Sequence, residues 1–224
     1  MSSNNPHAYT ALEQAAIYRV IAERRDMRHF NKLPVAPEVF ARLLNAAHQA
    51  PSVGLMQPWR FIRISDQTLR ASIHKLVETE RIRTASAIGE YENTDRMAEF
   101  LRLKVEGILD CGELLVAALC GQREGHIFGR RTLPEMDLAS VCCAIQNLSL
   151  VARAEGLGMG WVSMFDPLEL AGLLGIPADA KPVAILCIGH VNSFYKSPML
   201  VEEGWRRERP ISELVTENGW ATSC

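Results

Sequence analysis

The chain has 224 residues, 48% of them hydrophobic, and a formal net charge of −2. That length and composition fit a single domain, 1–224, with a substantial core, and exclude both a disordered acidic chain and a strongly basic nucleic-acid binder. Affinity for an anion has to come from a local cluster of cations.

No window approaches the roughly 18 apolar residues of a membrane span, and the start MSSNNPHAYT lacks an apolar signal core. A cytoplasmic protein with no membrane partner is expected. The cysteines at 111, 120, 142, 143, 187 and 224 form no CxxC pair, and the first five sit in apolar runs as reduced core thiols do. Neither a zinc site, nor any other metal, nor a disulfide framework is expected.

In chain order, the pattern predicts a helix from about Thr10 to Glu23, followed by Arg24-Arg25-Asp26-Met27-Arg28-His29-Phe30. Arginines at 24, 25 and 28 make a compact cationic fork, either as a solvated helix end or as a phosphate grip, since guanidinium groups present paired planar donors that match phosphate oxygens. Asp26 inside the fork is either a simple ion-pair partner or a carboxylate held ionised as an acceptor or base. An amphipathic helix is predicted over Glu38 to His48. Ala50 to Phe61 carries Pro51, Gly54 and Pro58, which forbid regular structure, so it reads as a fixed loop running into a strand from Arg60 to Ile64. It is either a plain connection or a loop whose backbone faces a ligand.

Asp66 to Ile88 reads as a charged helix. Glu90 to Glu99 is the most polar stretch and reads as a mobile excursion, with helical apolar pattern resuming at Phe100. Leu101 to Cys120 begins charged and ends apolar, and Gly121 to Arg131 is a loop. Leu138 to Leu157 is apolar nearly all round a helical wheel and predicts a helix buried on most sides, with Asp137 capping its start, Arg153 near its negative end, and Gly156 and Gly158 supplying left-handed positions that stop it. Gly160 to Phe165 reads as a strand with one hydroxyl, Ser163. Pro167 to Leu174 predicts a short helix and Pro182 to Gly189 a fully buried strand. The tail 201–224 carries a second cationic cluster, Arg206, Arg207 and Arg209, before Pro210.

Taken together, the arginine fork, Pro51-Ser52 through Gln57-Pro58-Trp59, the central helix leading to Gly156-Leu157-Gly158 and Trp161, Leu174-Gly175-Ile176-Pro177 and Ile188-Gly189 resemble the flavin-dependent nitroreductase superfamily over roughly residues 15 to 215. Asp26 stands where common members carry Ser or Thr. With Trp161-Val162-Ser163-Met164-Phe165, Phe128-Gly129-Arg130-Arg131 and Leu103-Lys104-Val105-Glu106-Gly107, it makes the chain similar to the branch of 5,6-dimethylbenzimidazole synthases.

The resemblance implies an α+β fold, with a mainly antiparallel sheet flanked by helices, in an intertwined homodimer whose interface contains the central helix. It implies FMN sites between subunits, with Arg24, Arg25 and Arg28 near the phosphate, Asp26 and Met27 also binding FMN, Ser52, Leu55 and Gln57 in a loop at the flavin, and Ser163 on the opposite wall. The branch expects basic residues two and four positions before the tail proline. Here Glu208 departs and Arg206 fits, with Arg207 or Arg209 as substitutes.

The implied reaction consumes the flavin. Reduced FMN and O2 give 5,6-dimethylbenzimidazole, the lower ligand of vitamin B12, and erythrose 4-phosphate. NAD(P)H would act indirectly, through a flavin reductase. Asp26 is the expected proton acceptor, Ser163 the expected hydrogen-bonding partner, and the excursion at about 85–110 the expected lid. Two alternatives are an NAD(P)H-dependent nitroreductase that keeps FMN as a cofactor, which would tolerate Ser at position 26, and a non-catalytic flavin-binding protein, which would need neither Asp26 nor Ser163.

Overall fold

A computed structural model describes residues 5–123, 125 and 127–220. Helix α1 (Ala11–Glu23) opens on a capping box in which Thr10 and Glu13 satisfy each other's orphan groups. Helix α2 (Pro37–His48) starts at a proline and leads through the 50–58 loop into strand β1 (Trp59–Arg63). Asp66 caps α3 (Gln67–Tyr91), and Asn93 caps α4 (Thr94–Arg102). Then come β2 (Glu113–Leu119), α5 (Met136–Ala154), β3 (Gly158–Val162), α6 (Pro167–Leu174), β4 (Lys181–Gly189) and a single turn of helix, α7 (Met199–Glu202). Among the described residues, no helix is long and apolar enough to cross a membrane.

The four strands form one antiparallel sheet in the order β1-β2-β4-β3. Because side chains alternate across a sheet, each inner strand feeds two cores. Leu115, Ala117 and Leu119 with Ala184, Leu186 and Ile188 face α2 and α5, where Phe40, Leu43, Val141, Ile145 and Leu148 complete the packing. Leu114 and Val116 with Ile185 and Cys187 face α3 and α6, against Ile73, Val77 and Leu170. The result is a helix–sheet–helix sandwich of the expected α+β class.

Several expectations need correction. The run after Phe100 does not continue as helix. The segment ELLVAAL is β2, an inner strand with every residue buried. A strand covered on both faces has no alternation, so its continuous apolar run looks like buried helix. The excursion around 85–110 is largely helical, with Ala85, Phe100 and Leu103 forming a small core of their own against which Trp205 packs. Asp137 does not cap α5. The cap residue is Glu135, and Asp137 lies in the first turn, where Arg123 and Arg130 bind it. Gly156 has the expected left-handed conformation at φ 77°, whereas Gly158 is in β3, where a Cβ would lie 2.6 Å from Val191 Cγ1. Of the cysteines, only Cys111 and Cys187 are core. Cys120 and Cys142 are half-buried, Cys143 is exposed, and Cys224 lies outside the described residues, as do the rest of 221–224.

Helix α5 is not covered on every side within one chain. Met136, Leu138, Cys143 and Gln146 are exposed. Helix α1 buries no residue at all and leaves Leu12, Ile17, Tyr18 and Ile21 open to solvent.

Candidate active site

The chain leaves α1 extended, with Arg24 at φ −60° and ψ 132°, and runs beside β3. Asp26 bridges Met159, and the Met27 N–H donates to the Met159 carbonyl at 2.8 Å. Gly160 permits this contact, since a Cβ there would fall 2.3 Å from the Met27 carbonyl oxygen. Extended backbone sends successive side chains to opposite sides, and this splits the arginine fork. Arg24, Asp26 and Arg28 face an open cleft of about 520 Å³. Met27 turns inward and is fully buried. Arg25 turns outward, donating to the carbonyls of Ala22, Arg24 and Lys196 at 2.7–2.9 Å. It braces the C-terminal end of α1 and does not line the cleft.

Asp26 is held at both oxygens. Oδ1 accepts the Trp161 N–H at 2.6 Å, and Oδ2 is ion-paired with Arg28. Its side chain remains 40% exposed to the cleft, against 13% for Arg28. A carboxylate has about four lone-pair positions, so two bonds leave capacity to accept a proton. Burial works against the charge on Arg28, but the hydrogen bond and attraction to Asp26 outweigh it, and the guanidinium pKa is raised above its ordinary value. Arg28 Nε is buried without a partner. Among the described residues, the Arg24 side chain makes no hydrogen bond or ion pair, nor does the exposed Ser163 hydroxyl just beyond β3.

Across from these residues, α5 contributes Gln146 and the buried Ser149, and β3 contributes Met159 and Trp161. Gln146 and Ser149 were not singled out in the sequence, although polar residues on an otherwise apolar helix were a visible signal. Beyond Arg28, Trp161 and Ser163 the cleft continues into an apolar cavity of about 210 Å³, walled by Phe100, Leu103, Val105 and Trp205. Trp205 is anchored there by Arg96, which donates to its carbonyl at 2.8 Å and lies 3.4 Å above its ring.

The loop bearing Ser52, Leu55 and Gln57 is elsewhere in the chain. Ser52 Oγ accepts the Gln57 N–H at 3.1 Å, and the Val53 N–H donates to Ser140 Oγ near the start of α5. Ser140 is roughly 13 Å along the helix from Ser149. Leu55 and Gln57 adopt left-handed backbone, at φ 51° and 47°, which non-glycine residues hold only when their surroundings impose it. Leu55 is 79% exposed. In the tail, the side chains of Arg206 and Arg207 are exposed and unpaired among the described residues, and Arg209 pairs with Glu213 at 3.3 Å. None of these three lines the cleft.

Residues 21–190 match the Nitroreductase family. The chain belongs to the nitroreductase family. Among its family relatives, the 5,6-dimethylbenzimidazole synthase of Rhodospirillum rubrum is 41% identical over 84% of this chain and 87% of its own length. The corresponding synthase of Rhodobacter capsulatus is 36% identical over 87% of this chain and 93% of its own. Oxidized iodotyrosine deiodinase bound to FMN and 3-iodo-L-tyrosine superposes with a TM-score of 0.70 at 22% identity, covering 91% of this chain and all of that one, a likeness of fold.

The cleft of this nitroreductase-family protein fits a flavin mononucleotide. An uncommitted guanidinium at Arg24 suits a phosphate. Trp161 offers flat surface to a ring, while Ser149, Ser163 and Gln146 supply neutral hydrogen-bonding groups around it.

Proposed function

We propose that this protein is a 5,6-dimethylbenzimidazole synthase, consuming reduced FMN and O2. The observation that carries the reading is Asp26, a carboxylate inside an arginine-lined cleft, supported by similarity to synthases over 84% and 87% of the chain. An ordinary flavin reductase needs no proton acceptor at this point.

The residues divide the work. Arg24 grips the phosphate and holds one end of the molecule while its middle is cut, converting binding energy into position. Arg28 pairs with one oxygen of Asp26 and the Trp161 N–H fixes the other, so the carboxylate is oriented before any proton reaches it. Asp26 takes that proton from the ribityl side of the substrate. Ser163 donates its hydroxyl to the oxygen-bearing region. Trp161, Phe100 and Trp205 keep water from the adjoining apolar cavity, and the helical segment around 85–110 acts as a lid. The flavin, when bound and reduced, supplies the electrons for O2 and the atoms of the aromatic product. NAD(P)H enters through a separate flavin reductase, and the reaction belongs to the cytoplasm.

We also infer that the working form is a homodimer. The exposed apolar faces of α1 and α5 need a partner. The loop of Ser52, Leu55 and Gln57, too far along α5 to reach its own chain's cleft, would close the partner's. Tail residue Arg206, with Arg207 in reserve, would reach the phosphate across the same interface. An obligate interface of this kind buries on the order of 2,000 Å² or more, and a folded, flavin-binding monomer in sedimentation experiments would contradict it.

The activity is tested by mixing the protein with reduced FMN, admitting air, and analysing products by mass. The expected result is 5,6-dimethylbenzimidazole with matching loss of FMN. Continued NAD(P)H oxidation and nitroaromatic reduction with intact FMN would make the protein a reductase, and recovery of all FMN without turnover would make it a carrier.

A further inference from the structure

Outside the cleft, α3 presents His74 and Glu78 one helical turn apart, and Glu106 rises against them from the segment between α4 and β2. Ligand atoms of the three side chains all lie within 4.8 Å of one another. Glu106 is the pivotal member. Its Oε2 accepts the Ile108 N–H at 2.5 Å, which points Oε1 toward His74 Nε2, 3.6 Å away.

The local charge is incompletely balanced. The Glu106 side chain is only 13% exposed, yet among the described residues no lysine or arginine pairs with it. The neighbouring Lys104 is paired with Asp110, and Arg81 serves Glu78 at 3.1 Å. A largely buried carboxylate beside a second carboxylate calls for another positive charge. Two carboxylates alone would suit a magnesium-like ion. The imidazole shifts the preference to a borderline transition metal, which takes nitrogen and oxygen ligands together and accepts three side chains plus water.

We propose that His74, Glu78 and Glu106 form a structural site for a divalent cation of the zinc type. Its consequence is mechanical. Leu103 and Val105, which wall the apolar cavity beside the cleft, belong to the same short segment as Glu106. A cation held there ties that wall to α3, and through α3 to the main core, where Ile73 and Val77 are fully buried. Nothing in this inference depends on the reaction proposed for the cleft.

The test is a calorimetric titration of the untagged full-length protein, stripped of metal by chelator, with ZnCl2 and separately with MgCl2. Circular dichroism checks the folding of each variant. The expected result is one saturable Zn²⁺ per chain and no comparable Mg²⁺ binding. Affinity should fall at least about tenfold in both Glu106→Gln and His74→Ala. Glu106→Gln retains the shape and an acceptor oxygen, so it decides the matter if His74→Ala fails to fold. Absence of saturable Zn²⁺ binding in the parent protein overturns the proposal, as does parental affinity in either folded variant.

Discussion

Asp26 and Asp137 are both aspartates set among arginines, and the structure uses them in opposite ways. Asp137, at the start of α5, is 4% exposed, with Oδ2 bound to Arg123 at 2.7 Å and Arg130 at 3.1 Å and Oδ1 accepting the Leu138 N–H. It is sealed by two cations and ties Arg123 and Arg130 to the central helix. Asp26 has one arginine and one backbone N–H, and it faces a cleft. The chemistry of the side chain is identical. What separates a clamp from a candidate base is the remaining acceptor capacity and a path for a proton to reach it.

The largest stability effect expected from this contrast is at the sealed site. Asp137→Ala removes the carboxylate that Arg123 and Arg130 share in a partly buried place and should cost about 3 to 5 kcal/mol, lowering the melting temperature in calorimetry by on the order of 10 °C. A melting temperature equal to the parent's would mean that Arg123 and Arg130 find other partners and that the clamp is dispensable. Next comes the phosphate grip. Arg24→Ala should weaken FMN binding roughly ten- to a hundredfold, leave riboflavin binding unchanged in parallel titrations, and keep the parental melting temperature because the Arg24 side chain has no partner to lose among the described residues. Equal losses for the two ligands would assign it a purely structural part. The smallest effect belongs to Ser163→Ala. One neutral hydrogen bond is worth about 0.5 to 1.5 kcal/mol, so product formation should slow by roughly two- to tenfold, read as a single-turnover rate. A larger loss would give the hydroxyl a part in proton transfer.

Much of this was readable before the structure. Helices expected at Thr10 to Glu23, Glu38 to His48 and Pro167 to Leu174 lie within a residue of those ends, because caps and prolines such as Thr10, Pro167 and Gly175 act through local rules that need no partner. What escaped depended on tertiary context. Strand β2 was missed because burial on both faces erases the alternation that identifies a strand and its Leu and Ala residues favour helix, whereas the Val and Ile residues of β4 mark a strand. Gly158 is a glycine because Val191 and Met27 press on it from outside its own turn. The fork of Arg24, Arg25 and Arg28 looked like one feature until β3 held the segment extended and sent Arg25 and Met27 away from Arg24, Asp26 and Arg28. Gln146 and Ser149 stood out as polar residues on an apolar helix, but that they line the cleft depends on where α5 passes.

In the proposed reaction Asp26 moves a proton and is not simply a second Asp137, and this difference can be measured. It is tested most directly by a single turnover of Asp26→Asn with saturating reduced FMN and O2, with 5,6-dimethylbenzimidazole quantified by mass against the parent protein. Asparagine keeps the shape and one acceptor oxygen but takes up no proton near neutral pH. Binding of reduced FMN should be nearly unchanged and the rate of fragmentation lower by about 10² to 10⁴. Formation of the product at the parental rate would contradict this, reducing Asp26 to a neutralising partner for Arg28.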